Sequence, residues 1–214
     1  IMTTDRKQFI DDLTLDITPV TPVDTRQSAL FWLGGAFTFV AVVALLTGPY
    51  RTDIGHDLLF SMQFLVESLV GLASVILLIY AAFEFAIPSA KSITRRLFLP
   101  LLGVSIWVGF YLLGLVHPAL EPSMAGKREF CYYETFVFAL PLMFAGLMWA
   151  RKQWPLYPLS TGLLIGLASG SVPALIMQFA CMYDPQHILT DHILPGLSIG
   201  VVGAVLGLVM LRTR

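Results

Sequence analysis

Residues 28–48 read SALFWLGGAFTFVAVVALLTG, 21 positions without one charged side chain. A helix of about 20 such residues is long enough to cross the roughly 30 Å hydrocarbon core of a bilayer. Five further blocks of the same kind follow, at about 62–83, 97–116, 131–150, 159–180 and 192–211. Composition agrees: 57% of the 214 residues are hydrophobic and 13% are charged, where a soluble domain carries about 25% charged residues. The expected fold class is therefore all-α, a polytopic membrane protein built as a six-helix transmembrane bundle. A net charge of −1 leaves no electrostatic footprint for direct nucleic-acid binding. No secretory leader is expected ahead of the first block.

The connecting segments set the orientation. With the N-terminus inside, cytoplasmic segments hold Arg6, Lys7, Arg26, Lys91, Arg95, Arg96, Arg151, Lys152, Arg212 and Arg214, and the opposite side holds Arg51, Lys127 and Arg128. Ten cations against three predict an N-in, C-in bundle by the positive-inside rule. The outward loops 49–61, 117–130 and 181–191 are too short to fold on their own. The chain thus divides into a cytoplasmic tail, 1–27, and a transmembrane domain, 28–214.

Within the bundle, the fifth block carries Gly162, Gly166 and Gly170, and the sixth carries Gly196, Gly200, Gly203 and Gly207. Small residues four apart line one helix face and let backbones approach in lipid. They predict close packing of the last two helices, with a homodimer face as the alternative. Glu67 and Glu134 lie in or at the edge of apolar blocks, where carboxylates are costly. Both are expected to reach the outer interface rather than to couple an ion or a proton.

The two cysteines have a topological relationship. Cys131 begins the fourth block and Cys181 ends the fifth, so both return to the outer face. All four histidines, His56, His117, His187 and His192, fall on that side too. Three readings are open. The pair is a structural disulfide, natural in an oxidising periplasm, or two buried thiols acting as small apolar groups. It is a redox or thiol-reactive sensor, helped by the positive charge of Lys127 and Arg128. Or it is a metal site, using Cys131 and Cys181 with His187 or His192 and taking a transient heavy-metal or zinc ion.

The tail reads as a short helix over residues 4–18. Thr4 or Asp5 would cap it, and Phe9, Ile10, Leu13 and Ile17 would form one apolar stripe. Asp5, Asp11, Asp12 and Asp16 make the other face acidic, and Pro19 and Pro22 stop the helix. A helix this short is marginal alone in water. Its acidic face opposes docking on anionic lipid, so the stripe fits the groove of a basic cytosolic protein better.

The chain resembles the NrsF-type transmembrane anti-sigma factors of Gram-negative bacteria. The resemblance rests on the run from Phe9 through Asp11, Asp12, Leu13, Asp16 and Ile17 to Pro19 and Val20. It rests also on six spans, and on Cys131, a Pro-containing helix, a Trp/Pro loop, a Gly-rich helix and then Cys181. The segment Ala180-Cys181-Met182-Tyr183-Asp184 through His187 resembles the family's loop, with Met182 and Tyr183 where the family carries Pro and an acid. The resemblance implies an inner-membrane regulator and not an enzyme. Phe9, Ile10, Leu13, Asp16 and Ile17 would bind an extracytoplasmic-function sigma factor, and Cys131 and Cys181 would sense heavy metal or oxidant and trigger its release. The competing classes are a membrane thiol-disulfide oxidoreductase, opposed by the lack of a CxxC or second thiol pair, and a small metal transporter.

Overall fold

A computed structural model describes residues 3–15, 22–88 and 92–212. The described residues are helical with short connections. They form α1 (Thr3–Leu15), α2 (Thr25–Thr47), α3 (Ile54–Phe60), α4 (Met62–Phe85), α5 (Ile93–Gly114), α6 (Cys131–Arg151), α7 (Pro158–Ala180) and α8 (Pro185–Met210). All except α1 and α3 are long and apolar enough to cross a membrane, so six spans are present as expected. Large apolar side chains such as Leu46, Leu113, Val201 and Val209 stay exposed around the bundle. Apolar surface on that scale requires lipid rather than water.

Local chemistry sets the helix starts. The Asp24 carboxylate accepts from the backbone N–H groups of Arg26 and Gln27 and caps α2. Ser61 caps α4 by accepting from Phe64 N–H, and Ser92 caps α5 by accepting from Arg95 N–H. Pro158 occupies the first turn of α7, where a missing N–H costs nothing. Pro100, Pro141 and Pro173 lie inside helices, which neighbouring helices in a bundle can accommodate.

The bundle is built around α7, where Thr161 to Gln178 is almost wholly buried; α2 buries only Ala29, Ala36, Val40 and Ala44. The glycine faces of α7 and α8 meet within the chain. A Cβ on Gly162 would collide with Gly203 and Gly207, one on Gly166 with Ile199 and Gly200, and one on Gly170 with Gly196. These two backbones touch, and no larger side chain fits between them.

Two details differ from the sequence reading. The segment 49–61 contains α3, whose seven residues are too few for periodicity to reveal. The last span begins at Pro185 rather than 192, so His187 lies on a helix, with His192, and not in a loop. In the tail, α1 covers Thr3–Leu15 and leaves Phe9, Ile10, Leu13 and Leu15 exposed. Asp16, Ile17 and Pro19 lie outside the described residues.

Candidate cysteine–histidine site

Cys131 opens α6, and Cys181 caps the end of α7, with its N–H donating to Met177 O at 2.8 Å. Both are free thiols and both are buried. Their sulfurs lie 2.8 Å apart, so the contact expected from topology is made. His187 Nε2 stands 3.3 Å from Cys181 Sγ, while its Nδ1 stands 3.1 Å from Asp191 Oδ2. His192 is completely buried, and neither ring nitrogen has a hydrogen-bond partner. One ligand atom from each of Cys131, Cys181, His187 and His192 lies within 4.8 Å of all the others.

The start of α8 makes this convergence possible. A regular helix turns about 100° per residue, which would place positions 187 and 192 about 140° apart. Residues Ile188–Ile193 instead form a π turn, closed by Leu194 N–H donating to Leu189 O. The wider turn brings the two imidazoles to a centroid distance of 4.9 Å. Pro195 follows directly and would clash with the Asp191 carbonyl in a tight α turn. It is the one sequence signal that could have located the π turn.

Other contacts clamp this end of the bundle. Arg128 is buried and ion-paired to Glu134 at 2.7 Å. It also donates to Pro49 O at 2.9 Å and to Ala44 O, and reaches Thr47 Oγ1 at 3.4 Å. Arg128 thus holds the last turn of α2, where free carbonyls favour a cation. A Cβ on Gly48 would stand 3.0 Å from the Arg128 guanidinium carbon. Gly126, with φ +77°, lies against the backbone of Arg51, and both facts favour glycine there. Arg51 N–H donates to Ala180 O at 3.0 Å, and its guanidinium lies over the Phe64 and Tyr183 rings. Burial pulls the Arg51 pKa down, against the Asp57 carboxylate 3.6 Å away.

Glu134 is partly exposed and pairs with Arg128. Glu67, expected at the outer interface, is not exposed. It is fully buried, held by Gln63 Nε2 at 3.1 Å and by the Tyr183 hydroxyl at 3.4 Å. The reason is Tyr183, which folds inward beside α4 and accepts from Ala119 N–H at 2.9 Å. Burial pushes the Tyr183 phenol up. Cys181 is held below the ordinary thiol range, first by the hydrogen bond from Cys131 and then by that to His187.

The NrsF profile, described as negative regulator of sigma F, matches residues 13–212. The chain belongs to the NrsF family. No curated protein and no solved structure matches it. Family membership makes this NrsF-type chain a negative regulator of a sigma factor, which is not an enzyme class. Of the four histidines expected on one face, only His187 and His192 join the cysteines. His56 stacks on Phe60, and His117 is exposed, with its carbonyl accepting from Gln63. Asp191 was not legible as part of this region, and spacing alone named no partner for Arg128 or Tyr183.

Proposed function

We propose that this chain is a membrane-held anti-sigma factor. Its tail, residues 1–27, holds an extracytoplasmic-function sigma factor in the cytoplasm. Heavy metal or oxidant acting on Cys131 and Cys181 at the periplasmic face releases it. The carrying observation is the contact between two buried thiols at the end of the bundle away from the tail, in a chain of the NrsF family. The ten-to-three distribution of cations supports the N-in, C-in placement in a bacterial inner membrane. In α1 the exposed Phe9, Ile10 and Leu13, beside Asp11 and Asp12, suit a groove with a basic rim.

A route between the two ends runs through α2. Arg128 lies three residues before Cys131 and grips the last turn of α2, whose other end leads into the tail. A shift at Cys131 therefore pulls on the helix that carries the sigma-binding segment. Release requires the two states to differ in sigma affinity.

The test is co-purification of the detergent-solubilised protein with its sigma factor, with and without residues 1–22. Binding should vanish on truncation. The double variant Cys131→Ser, Cys181→Ser should keep binding but lose release by metal. A double variant that still responds refutes the sensor assignment, and an intact protein that binds no sigma factor refutes the role of the tail.

A further inference from the structure

The cysteine pair is half of a larger donor set. We propose that Cys131, Cys181, His187 and His192 form a closed four-coordinate site for a thiophilic divalent cation of the zinc class, with Asp191 orienting His187. This deepens the sensor reading of the two cysteines by naming the ligand set and the ion. Its test uses no sigma factor, so the two readings fail separately.

Four observations converge. The four donor atoms lie within 4.8 Å of one another although they come from three separate chain segments. Two sulfurs and two imidazole nitrogens are the donor types of tetrahedral zinc centres, whereas magnesium and calcium require oxygen ligands. His192 is completely buried with both ring nitrogens unpartnered. Orphaned buried polar atoms are costly and rare, and a cation at the centre of this group would supply the missing partner. Asp191 Oδ2 stands 3.1 Å from His187 Nδ1. That carboxylate fixes the tautomer and turns the Nε2 lone pair toward Cys181, as outer partners do for metal-binding imidazoles.

The π turn is the fifth mark. It brings residues 187 and 192 to one side of α8 at the cost of a regular helix, and such turns concentrate at functional sites. Both cysteines and His192 are buried, while His187 is partly open, so His187 lies on the way in.

The chemistry balances without a redox step. As each metal–sulfur bond forms, any proton still held by that sulfur leaves to solvent, and the two imidazoles donate lone pairs. One dication and two thiolates make a neutral centre. Neutrality matters here, because an uncompensated charge at this depth would be expensive. Sulfurs around zinc stand about 3.8 Å apart, from bonds of about 2.3 Å in a tetrahedron. Loading therefore fixes the spacing of Cys131 and Cys181 and ties the start of α6 to the end of α7.

The experiment uses the reduced full-length protein in detergent, titrated with Co²⁺ and then Zn²⁺. One equivalent of Co²⁺ should give the intense visible bands of a tetrahedral ion together with thiolate charge transfer, and Zn²⁺ should displace it. X-ray absorption of the zinc-loaded protein should show two sulfur and two nitrogen neighbours. His192→Gln should weaken Co²⁺ binding at least a hundredfold. Asp191→Asn, at a partly exposed position, should weaken it 10- to 100-fold with the band shape kept. An octahedral Co²⁺ spectrum without charge transfer overturns the proposal. So does a zinc shell of two sulfurs with oxygens only, a result that needs no variant to fold. Unchanged affinity in His192→Gln overturns it as well.

Discussion

Arg128→Ala tests the brace between the cysteine end and α2. The guanidinium makes two well-formed bonds, to Glu134 Oε2 at 2.7 Å and to Pro49 O at 2.9 Å, besides those to Ala44 O and Thr47 Oγ1. Bonds involving a charged group contribute about 1.5–3 kcal/mol each. The Glu134 side chain keeps 19% exposure, so water can reach it once its partner is gone. The lower bound then applies, and two bonds give about 3 kcal/mol. For a chain of this size, about 1 kcal/mol moves Tm by roughly 2–4 °C, so Arg128→Ala should lower Tm by about 6–12 °C. Glu134→Gln should cost about half as much. The double variant should fall short of the sum by about 1 kcal/mol, the signature of a direct pair. Thermal unfolding followed by tryptophan fluorescence in detergent provides the measurement. A drop under 2 °C for Arg128→Ala, or full additivity with Glu134→Gln, refutes this account of the brace.

Three more perturbations have defined outcomes. Gly170→Leu puts a side chain where Gly196 backbone now lies, and it should destabilise the α7–α8 pair by about 3 kcal/mol or more, read as a lower Tm. Phe9→Ala with Leu13→Ala removes two exposed apolar side chains of α1 and should weaken sigma binding at least tenfold in a pull-down titration, leaving Tm unchanged. In a cysteine-free background, Met124→Cys should react with an impermeant maleimide added to intact cells and Arg6→Cys should not; the reverse pattern would invert the proposed orientation.

The sequence exposes what depends on length and local type. Six spans follow from uninterrupted apolar runs, and the packing of α7 on α8 follows from glycines four apart. Cys131 and Cys181 could be paired because an up-and-down chain must return the start of one helix and the end of the next to one face. What stayed hidden depends on distant partners. Glu67 looks interfacial by position, but its acceptor role toward Tyr183 spans 116 residues. Arg128 looks like a free cation beside a thiol, yet it is committed to Glu134 and to a carbonyl 84 residues away. His187 and His192 have no recognisable metal spacing, since five apart suits neither a helix face nor a strand. Only the π turn makes that interval useful.

The mechanics of the bundle favour α2 as the element that carries a signal. The α7–α8 pair is locked, because their backbones meet at Gly162, Gly166 and Gly170 and any separation opens voids. By contrast, α2 fully buries only Ala29, Ala36, Val40 and Ala44, with Trp32, Leu33, Phe37 and Val43 packed half-buried against the core. Gly34 and Gly35 of α2 meet no neighbour, so no backbone seam of the α7–α8 kind locks it, and it can shift by sliding side chains. Its far end is anchored by Arg128, next to the first residue of α6. A hundredfold change in sigma affinity needs about 2.7 kcal/mol of difference between the two states. The Arg128 grip, at about 3 kcal/mol, is of that size. Under the proposed function, a displaced Cys131 shifts Arg128 and thereby changes where α2, and with it the tail, comes to rest. A stiffer contact would resist the displacement, and a weaker one would not pass it on.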